Sequence, residues 1–286
     1  MQNSRVEDTN YKDNRIQFNG ILMDFTVPKI MGILNVTEDS FFSESRLKSD
    51  SELLKMAEKH LSEGATFLDL GGFSTRPGAV DVDEKTEQLR IQSALRQLKT
   101  EFPDALISID TFRGEVARTA IGEGASMIND ISGFQFDETL LDVLAAATIP
   151  YVLMHVEGTF ETMHNMAISP AAGIIKRLTD YFEKKLAVLG EKGVKDVVLD
   201  PGFGFSKTME ENYELLQRMD ELLVFKKPLL VGVSRKSMIY KKLGITPEES
   251  LNGTTVLNTL AVTKGAGILR VHDVRTCSEI IDLLCR

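Results

Sequence analysis

Cysteine is almost missing from this chain. Only Cys277 and Cys285 occur, eight residues apart in a stretch that reads as one helix, too far apart along it to pair. Two unpaired thiols point to a reducing compartment. Positive charge is also short: 33 Lys and Arg against 42 Asp and Glu give a net charge of −9. That argues against a nucleic-acid surface, which would be basic, but leaves room for a local basic pocket. No run of about 18 apolar residues occurs, so no membrane span is expected. Residues 1–14 are polar, with no apolar signal core, and are expected to be a flexible tail on a cytoplasmic protein. No linker or low-complexity tract marks a second domain, so residues 15–286 are expected to form one.

What is present is ordinary for a globular protein: 43% hydrophobic and 26% charged residues in a chain of 286. That length buries a core without disulfides or a structural metal. Short apolar runs alternate with longer amphipathic stretches, the pattern of βαβ units and a parallel sheet. The runs are 29–35, 66–71, 106–110, 126–130, 151–155, 196–200, 229–234 and 267–272. The helical stretches are 51–62, 85–100, 114–121, 138–146, 171–189, 209–222, 249–264 and 278–284. Eight strands, each followed by a helix, match a single (β/α)8 TIM barrel. The joints repeat: Glu63-Gly64-Ala65, Glu123-Gly124-Ala125 and Lys264-Gly265-Ala266, with Lys192-Gly193-Val194 as a looser copy. Glycine suits the left-handed position after a helix. Such joints occur in any parallel α/β fold, so a doubly wound open sheet stays open as an alternative. Residues 15–24 read as an N-terminal β-hairpin turning at Asn19-Gly20 and capping the barrel bottom.

Each apolar run ends in something polar: Asn35, Asp69, Asp110, Asn129-Asp130, His155, Asp200, Ser234-Arg235-Lys236, and Arg270 with His272. A single such residue is most simply a helix cap or loop start. Eight in one chain mark the carboxyl rim of a barrel, where active sites sit. Residues 71–78, Gly-Gly-Phe-Ser-Thr-Arg-Pro-Gly, suit an anion but equally make a flexible turn. Residues 200–205, Asp-Pro-Gly-Phe-Gly-Phe, bring aromatics that suit a flat ligand or simply pack. Residues 234–237, Ser-Arg-Lys-Ser, open a helix, a natural anion site. Taken together, Asp110, Asn129 and Asp200 suit a flat heterocycle with N–H donors. Lys236, Arg270 and His272 suit phosphate oxygens. His60, His164 and the Lys184-Lys185 pair lie off these motifs and read as surface or loop positions.

These motifs resemble the dihydropteroate synthase family over essentially the whole chain from about Arg15. The matching segments are 31–37 (Met-Gly-Ile-Leu-Asn-Val-Thr), Gly71-Gly72 with 74–78, 108–111 (Ser-Ile-Asp-Thr), 128–130, Met154-His155, 200–205, 234–237 and 270–273, in the family's order. The resemblance implies a transferase that condenses 6-hydroxymethyl-7,8-dihydropterin pyrophosphate with p-aminobenzoate in folate biosynthesis. It implies that Asp110, Asn129, Asp200 and Lys236 hold the pterin, with Met154 packing nearby. Arg270 and His272 would hold pyrophosphate, joined by Asn35 through Mg²⁺. Thr75, Arg76 and Pro77 would belong to a closing loop, and Phe203, Lys236 and Ser237 would contact p-aminobenzoate or a sulfonamide. Asp110, Lys236, Arg270 and His272 are the expected catalytic set, and a homodimer through late helices is the expected assembly.

The chain departs from the family's pattern in three places. Glu38 stands where proline is usual. Ser43-Glu44-Ser45 stands where an Asp-Gly-Gly turn is usual, so either Glu44 substitutes for that aspartate or the loop is shifted by one residue. Phe73 stands where glutamate is usual. Two other readings compete: a corrinoid-linked pterin methyltransferase, which would have no need of a pyrophosphate clamp, and a pterin-binding barrel without turnover.

Overall fold

The computed structural model describes residues 14–36, 43–73, 82–163 and 172–285, with residues 43–50 described by backbone only. Eight parallel strands close into one barrel. In chain order they are β3 (Lys29–Asn35), β4 (Phe67–Gly71), β5 (Leu106–Asp110), β6 (Met127–Asp130), β7 (Tyr151–Met154), β8 (Val197–Asp200), β9 (Leu229–Val231) and β10 (Ala266–Val271). The helices between them are α1 (Ser43–Ser62), α2 (Glu84–Glu101), α3 (Gly114–Gly122), α4 (Thr139–Ala147), α5 (Ile174–Glu191), α6 (Met209–Arg218), α7 (Ser237–Leu243) and α8 (Leu251–Thr263), and α9 (Val274–Cys285) follows the last strand. The fold is a TIM barrel, and closure removes the open-sheet alternative. The joint glycines Gly64, Gly124, Gly193 and Gly265 all have positive φ, from +79° to +102°, so their conformation is the one glycine alone adopts without strain.

Side chains alternate along each strand. One parity packs outward on the helices: Leu68 and Leu70, Ile107 and Ile109, Leu153, Leu199, Leu229 and Val231, Leu269 and Val271 lie in the main core cluster. The other parity points into the barrel and changes character with height. At the bottom, Met31, Phe67, Met127, Val152, Val198, Leu230 and Ile268 form a separate apolar cluster with Ile16, Phe18 and Phe25. Ile16 and Phe18 belong to strand β1 (Arg15–Phe18), which pairs antiparallel with β2 (Ile21–Asp24) through the Asn19-Gly20 turn. The hairpin therefore plugs the barrel bottom, as its sequence suggested. Two residues further up, five of the strands carry Asp69, Ser108, Asn129, Asp200 and Arg270 on the same inward parity.

Several boundaries differ from the sequence reading. Strand β9 stops at Val231, where 229–234 was expected, and α7 is an additional short helix. Helix α1 extends eight residues further toward the amino end than the expected 51–62, and α9 starts four residues earlier than 278. The end of the expected helix 209–222 becomes a 3-10 turn, Met219–Phe225. Of the expected tail 1–14, only Asn14 is described, and its carbonyl accepts the Phe25 N–H at 3.3 Å. His60 is a correction. It is buried at 1% exposure, its Nε2 lies 3.1 Å from the Ile33 carbonyl, and its ring packs so tightly on Gly32 that a β-carbon there would sit 2.8 Å away. Lys185 is not simply solvated either: it donates to the Gly133 carbonyl at 2.7 Å and lies 3.9 Å over the Phe134 ring. Cys277 and Cys285 do share one helix and are free. His164 lies outside the described residues.

Candidate active site

The upper interior of the barrel is a connected polar floor. Asp69, fully buried on β4, accepts Arg270 Nε at 2.6 Å and Asn129 Nδ2 at 3.1 Å, both on Oδ2. Arg270 turns its Nη2 to Asp110 Oδ2 at 2.7 Å. Strand register makes this possible, because Asp110 pairs with Asn129 and Asp69 with Ser108 across neighbouring strands. Two consequences follow for a ligand lying on this floor. The amide of Asn129 commits one of its two N–H groups to Asp69, which fixes the orientation of the side chain. Asp110 keeps Oδ1 without a hydrogen-bond partner among the described residues. Across the barrel, Asp200 accepts the Gly202 N–H at 2.7 Å. The floor is thus rich in acceptors, suited to a ring edged with N–H groups.

Lys236 reaches this floor from the N-cap of α7. Its ammonium donates to the Phe203 carbonyl and lies 4.6 Å from the centre of the Phe205 ring. The charges are tuned by enclosure. Burial pushes Asp110 up to about 7, with Arg270 pulling the other way. Burial also raises Asp200, against the pull of Lys236. Burial lowers Lys236 to about 8, with Asp200 opposing. For Arg270, burial works against the charged form, but Asp69 and Asp110 outweigh it and hold the guanidinium above its ordinary value.

His272 stands just past β10, its Nδ1 3.0 Å from Ser234 Oγ. Beside it, Arg235 makes a two-bonded pair with Asp273 at 2.8 and 3.0 Å. Asn35 ends β3 exposed at the mouth. A β-carbon built on Gly71 would lie 3.5 Å from Asn35 Oδ1 and 3.7 Å from Asp110 Cβ, so the Asn35 oxygen and Asp110 flank one point. Met154 is buried in an apolar cluster at the mouth with Phe73, Phe112, Ile131 and Phe205. Phe73 meets Phe112 edge-on at 5.5 Å, and Arg113 lies 5.8 Å from its ring centre.

Six of the expected site residues therefore converge on the floor or its walls: Asp110, Asn129, Asp200, Lys236, Arg270 and Met154. His272, Ser237 and Asn35 stand at the mouth. Phe203 is a correction: its side chain is fully buried in the outer core, and only its carbonyl serves the site. The aromatic beside Lys236 is Phe205. Arg270 is bonded to two carboxylates of the floor, Asp69 and Asp110. His155, taken as a rim residue, turns away from the floor: it is 1% exposed, and its Nδ1 lies 3.0 Å from the Lys207 ammonium. Thr75, Arg76, Pro77 and Glu38 lie outside the described residues, as does the side chain of Glu44. Sequence reasoning placed Asp69 at the rim but gave it no role, although its parity matches Asn129 and Arg270, and did not single out Lys207, the lysine directly after the Gly-Phe-Gly-Phe-Ser loop.

The metal expectation rests on donor chemistry. Asn35 offers one neutral oxygen, and no group of three His, Cys, Asp or Glu able to hold a metal occurs among the described residues. Such a mouth fits a cation carried largely by phosphate oxygens and water, the habit of Mg²⁺.

Comparison with known proteins agrees with the barrel fold. The family model described as pterin binding enzyme matches residues 31–272. A dihydropteroate synthase of Synechocystis sp. is 41% identical over 254 residues, covering 88% of this chain and 87% of that protein. The folic acid synthesis protein fol1 of Pneumocystis carinii is 39% identical over 272 residues, covering 92% of this chain, which spans only 36% of that longer protein. The crystal structure of the Yersinia pestis dihydropteroate synthase in a sulfonamide drug complex superposes with a TM-score of 0.85 at 35% identity, over 94% of this chain and 97% of that one.

Proposed function

This chain belongs to the dihydropteroate synthases within the pterin-binding enzymes, and from that membership we propose how its barrel mouth divides the work of condensing 6-hydroxymethyl-7,8-dihydropterin pyrophosphate with p-aminobenzoate. The single observation that carries the reading is the floor itself. Asp69 and Arg270 between them fix the side chains of Asn129 and Asp110, and in this reading the oxygens of those two side chains meet the pterin. The 2-amino group and ring N–H groups of a pterin are the donors such a face reads, with Asp200 as a third acceptor and Lys236 donating to the ring's own acceptors. Met154 supplies an apolar contact.

The pyrophosphate arm then extends toward Arg270, His272 and the Asn35 side of the mouth. The bond between the methylene carbon and the bridging oxygen breaks, and its electron pair leaves with pyrophosphate. The pterin ring stabilises the resulting cation, and an anionic Asp110 beneath it favours that charge. Arg270 and His272 offset charge on the departing oxygens. Mg²⁺, held by Asn35 and the phosphates, would add Lewis-acid charge neutralisation to the leaving group. The arylamine nitrogen attacks the carbon, forms the C–N bond and gives up a proton to solvent. Its subsite is the Phe205 ring, the Lys236 stem and Ser237. A nucleophilic arylamine needs no strong base, and the apolar cluster of Phe73, Phe112 and Met154 keeps water from the cation.

Three further features belong to the proposal. A homodimer is supported by exposed apolar side chains on the late helices, Leu243 and Val256 at 57% each. A cytoplasmic location is supported by the two free cysteines. No helix among the described residues is long and apolar enough to cross a membrane. The relatives do not favour the corrinoid-linked or the non-catalytic reading. A turnover assay with both substrates and Mg²⁺ tests the whole: pyrophosphate release in step with dihydropteroate is expected, and tight pterin binding without release would leave only a binding barrel.

A further inference from the structure

We propose that Lys207 is a positioning residue that fixes the loop between β8 and α6 and so presents the Phe205 ring to the arylamine. The inference rests on the reading of the second-substrate subsite given above. The loop turns at three alternate residues with positive φ: Gly202 at +72°, Gly204 at +80° and Ser206 at +44°. Two lysines grip it from different places. Lys236 takes the Phe203 carbonyl. Lys207 takes the carbonyls of Gly202 at 2.9 Å, Phe205 at 3.1 Å and His155 at 3.4 Å, and meets His155 Nδ1 at 3.0 Å. Its ammonium is thus the common donor to both ends of the Gly-Phe-Gly-Phe segment.

The support behind Lys207 is continuous. His155 Nε2 lies 3.6 Å from Glu157 Oε1, which accepts Arg177 Nε at 2.9 Å. Arg177 passes to Glu211 at 2.6 Å, and Glu211 accepts the N–H of Thr208 at 2.8 Å, the residue next to Lys207. The loop also rests directly on the end of β7, since a β-carbon at Gly202 would collide with the His155 carbonyl at 2.1 Å. Removing the ammonium would take the lysine donor from the Phe205 and His155 carbonyls and leave the Gly202 carbonyl with the Phe205 N–H at 3.2 Å, and enclosed carbonyls short of donors are an arrangement that structures avoid. The loop must then reshape, and the Phe205 ring moves with it. Asp110 and Asn129 stand on β5 and β6, outside this network, so their part of the pterin floor would stay; Asp200 and Lys236 touch the loop, so pterin binding should fall less than arylamine binding.

The experiment is Lys207→Met, close in volume but without the donor. The expected result is a KM for p-aminobenzoate raised about tenfold, with the dissociation constant of a pterin lacking pyrophosphate within about threefold of wild type. An unchanged arylamine KM, or equal losses for both ligands, overturns the proposal. Lys207→Ala gives a second readout by chemical rescue. Methylammonium should restore the arylamine KM where the same concentration of sodium chloride does not, and equal effects of the two salts overturn the proposal even if Lys207→Met fails to fold. A wild-type protein with no saturable dependence on p-aminobenzoate would instead remove the subsite reading itself, and the inference with it.

Discussion

Asp110 works under opposing demands. Its enclosure pushes the carboxyl up to about 7, even with Arg270 against it, yet a pterin cation is best served by the anion. In the free protein the carboxyl is neutral below that pH and charged above it. The kcat/KM for the pterin substrate is therefore expected to rise with pH through about 7, and a pH–rate profile of Asp110→Asn should lose that limb. The same variant removes a charged acceptor, a change costing about 1.5–3 kcal/mol, so pterin affinity should fall roughly tenfold to a hundredfold by calorimetry. The position of Asp110 was legible in the sequence, because strand parity alone faces it inward. The choice between Phe203 and Phe205 was not. That loop has no period to read, and only its sequence of positive φ angles decides which ring enters the core and which reaches Lys236.

At the scale of elements, the period of two did most of the work. It separates the outward Leu and Ile residues from the inward set, and it would also have separated His155 from Met154, since neighbours on a strand face opposite ways. Reading His155 as a rim residue ignored that parity. Buried there, with Lys207 beside it, the imidazole is pushed down to about 4. The folded protein then binds fewer protons than the unfolded chain between about pH 6.5 and 4. This group's share of stability is full above its unfolded pKa and is lost as pH falls through that window, by about 3 kcal/mol in all. Denaturant melts of wild type and His155→Gln at pH 7 and pH 5 test it: the stability difference between the two proteins should shrink at the lower pH. A constant difference would contradict the assignment. The strand β9 and helix α7 were less legible, because residues 232–234 continue the apolar pattern of β9 after its pairing has ended.

For the whole molecule, closure makes the two ends of the barrel independent. The bottom end is plugged by Ile16, Phe18 and Phe25 against Phe67 and the inward residues of the other strands. Phe18→Ala should cost about 3–5 kcal/mol in a denaturant melt and leave both substrate KM values unchanged at temperatures where the variant remains folded. The length, the alternation and the Asn19-Gly20 turn were enough to read this architecture. Asp69 was harder to see, since its role depends on contacts with β6 and β10, remote in sequence. The central claim is that the mouth divides into an acceptor floor that reads the pterin and a cationic side that reads pyrophosphate. Its most direct test is to titrate a pterin lacking pyrophosphate, and pyrophosphate with Mg²⁺, separately into Asp110→Asn and His272→Ala. The account predicts that Asp110→Asn loses about tenfold or more for the pterin and about threefold or less for pyrophosphate, and that His272→Ala shows the reverse. Equal losses of both ligands in both variants would contradict it.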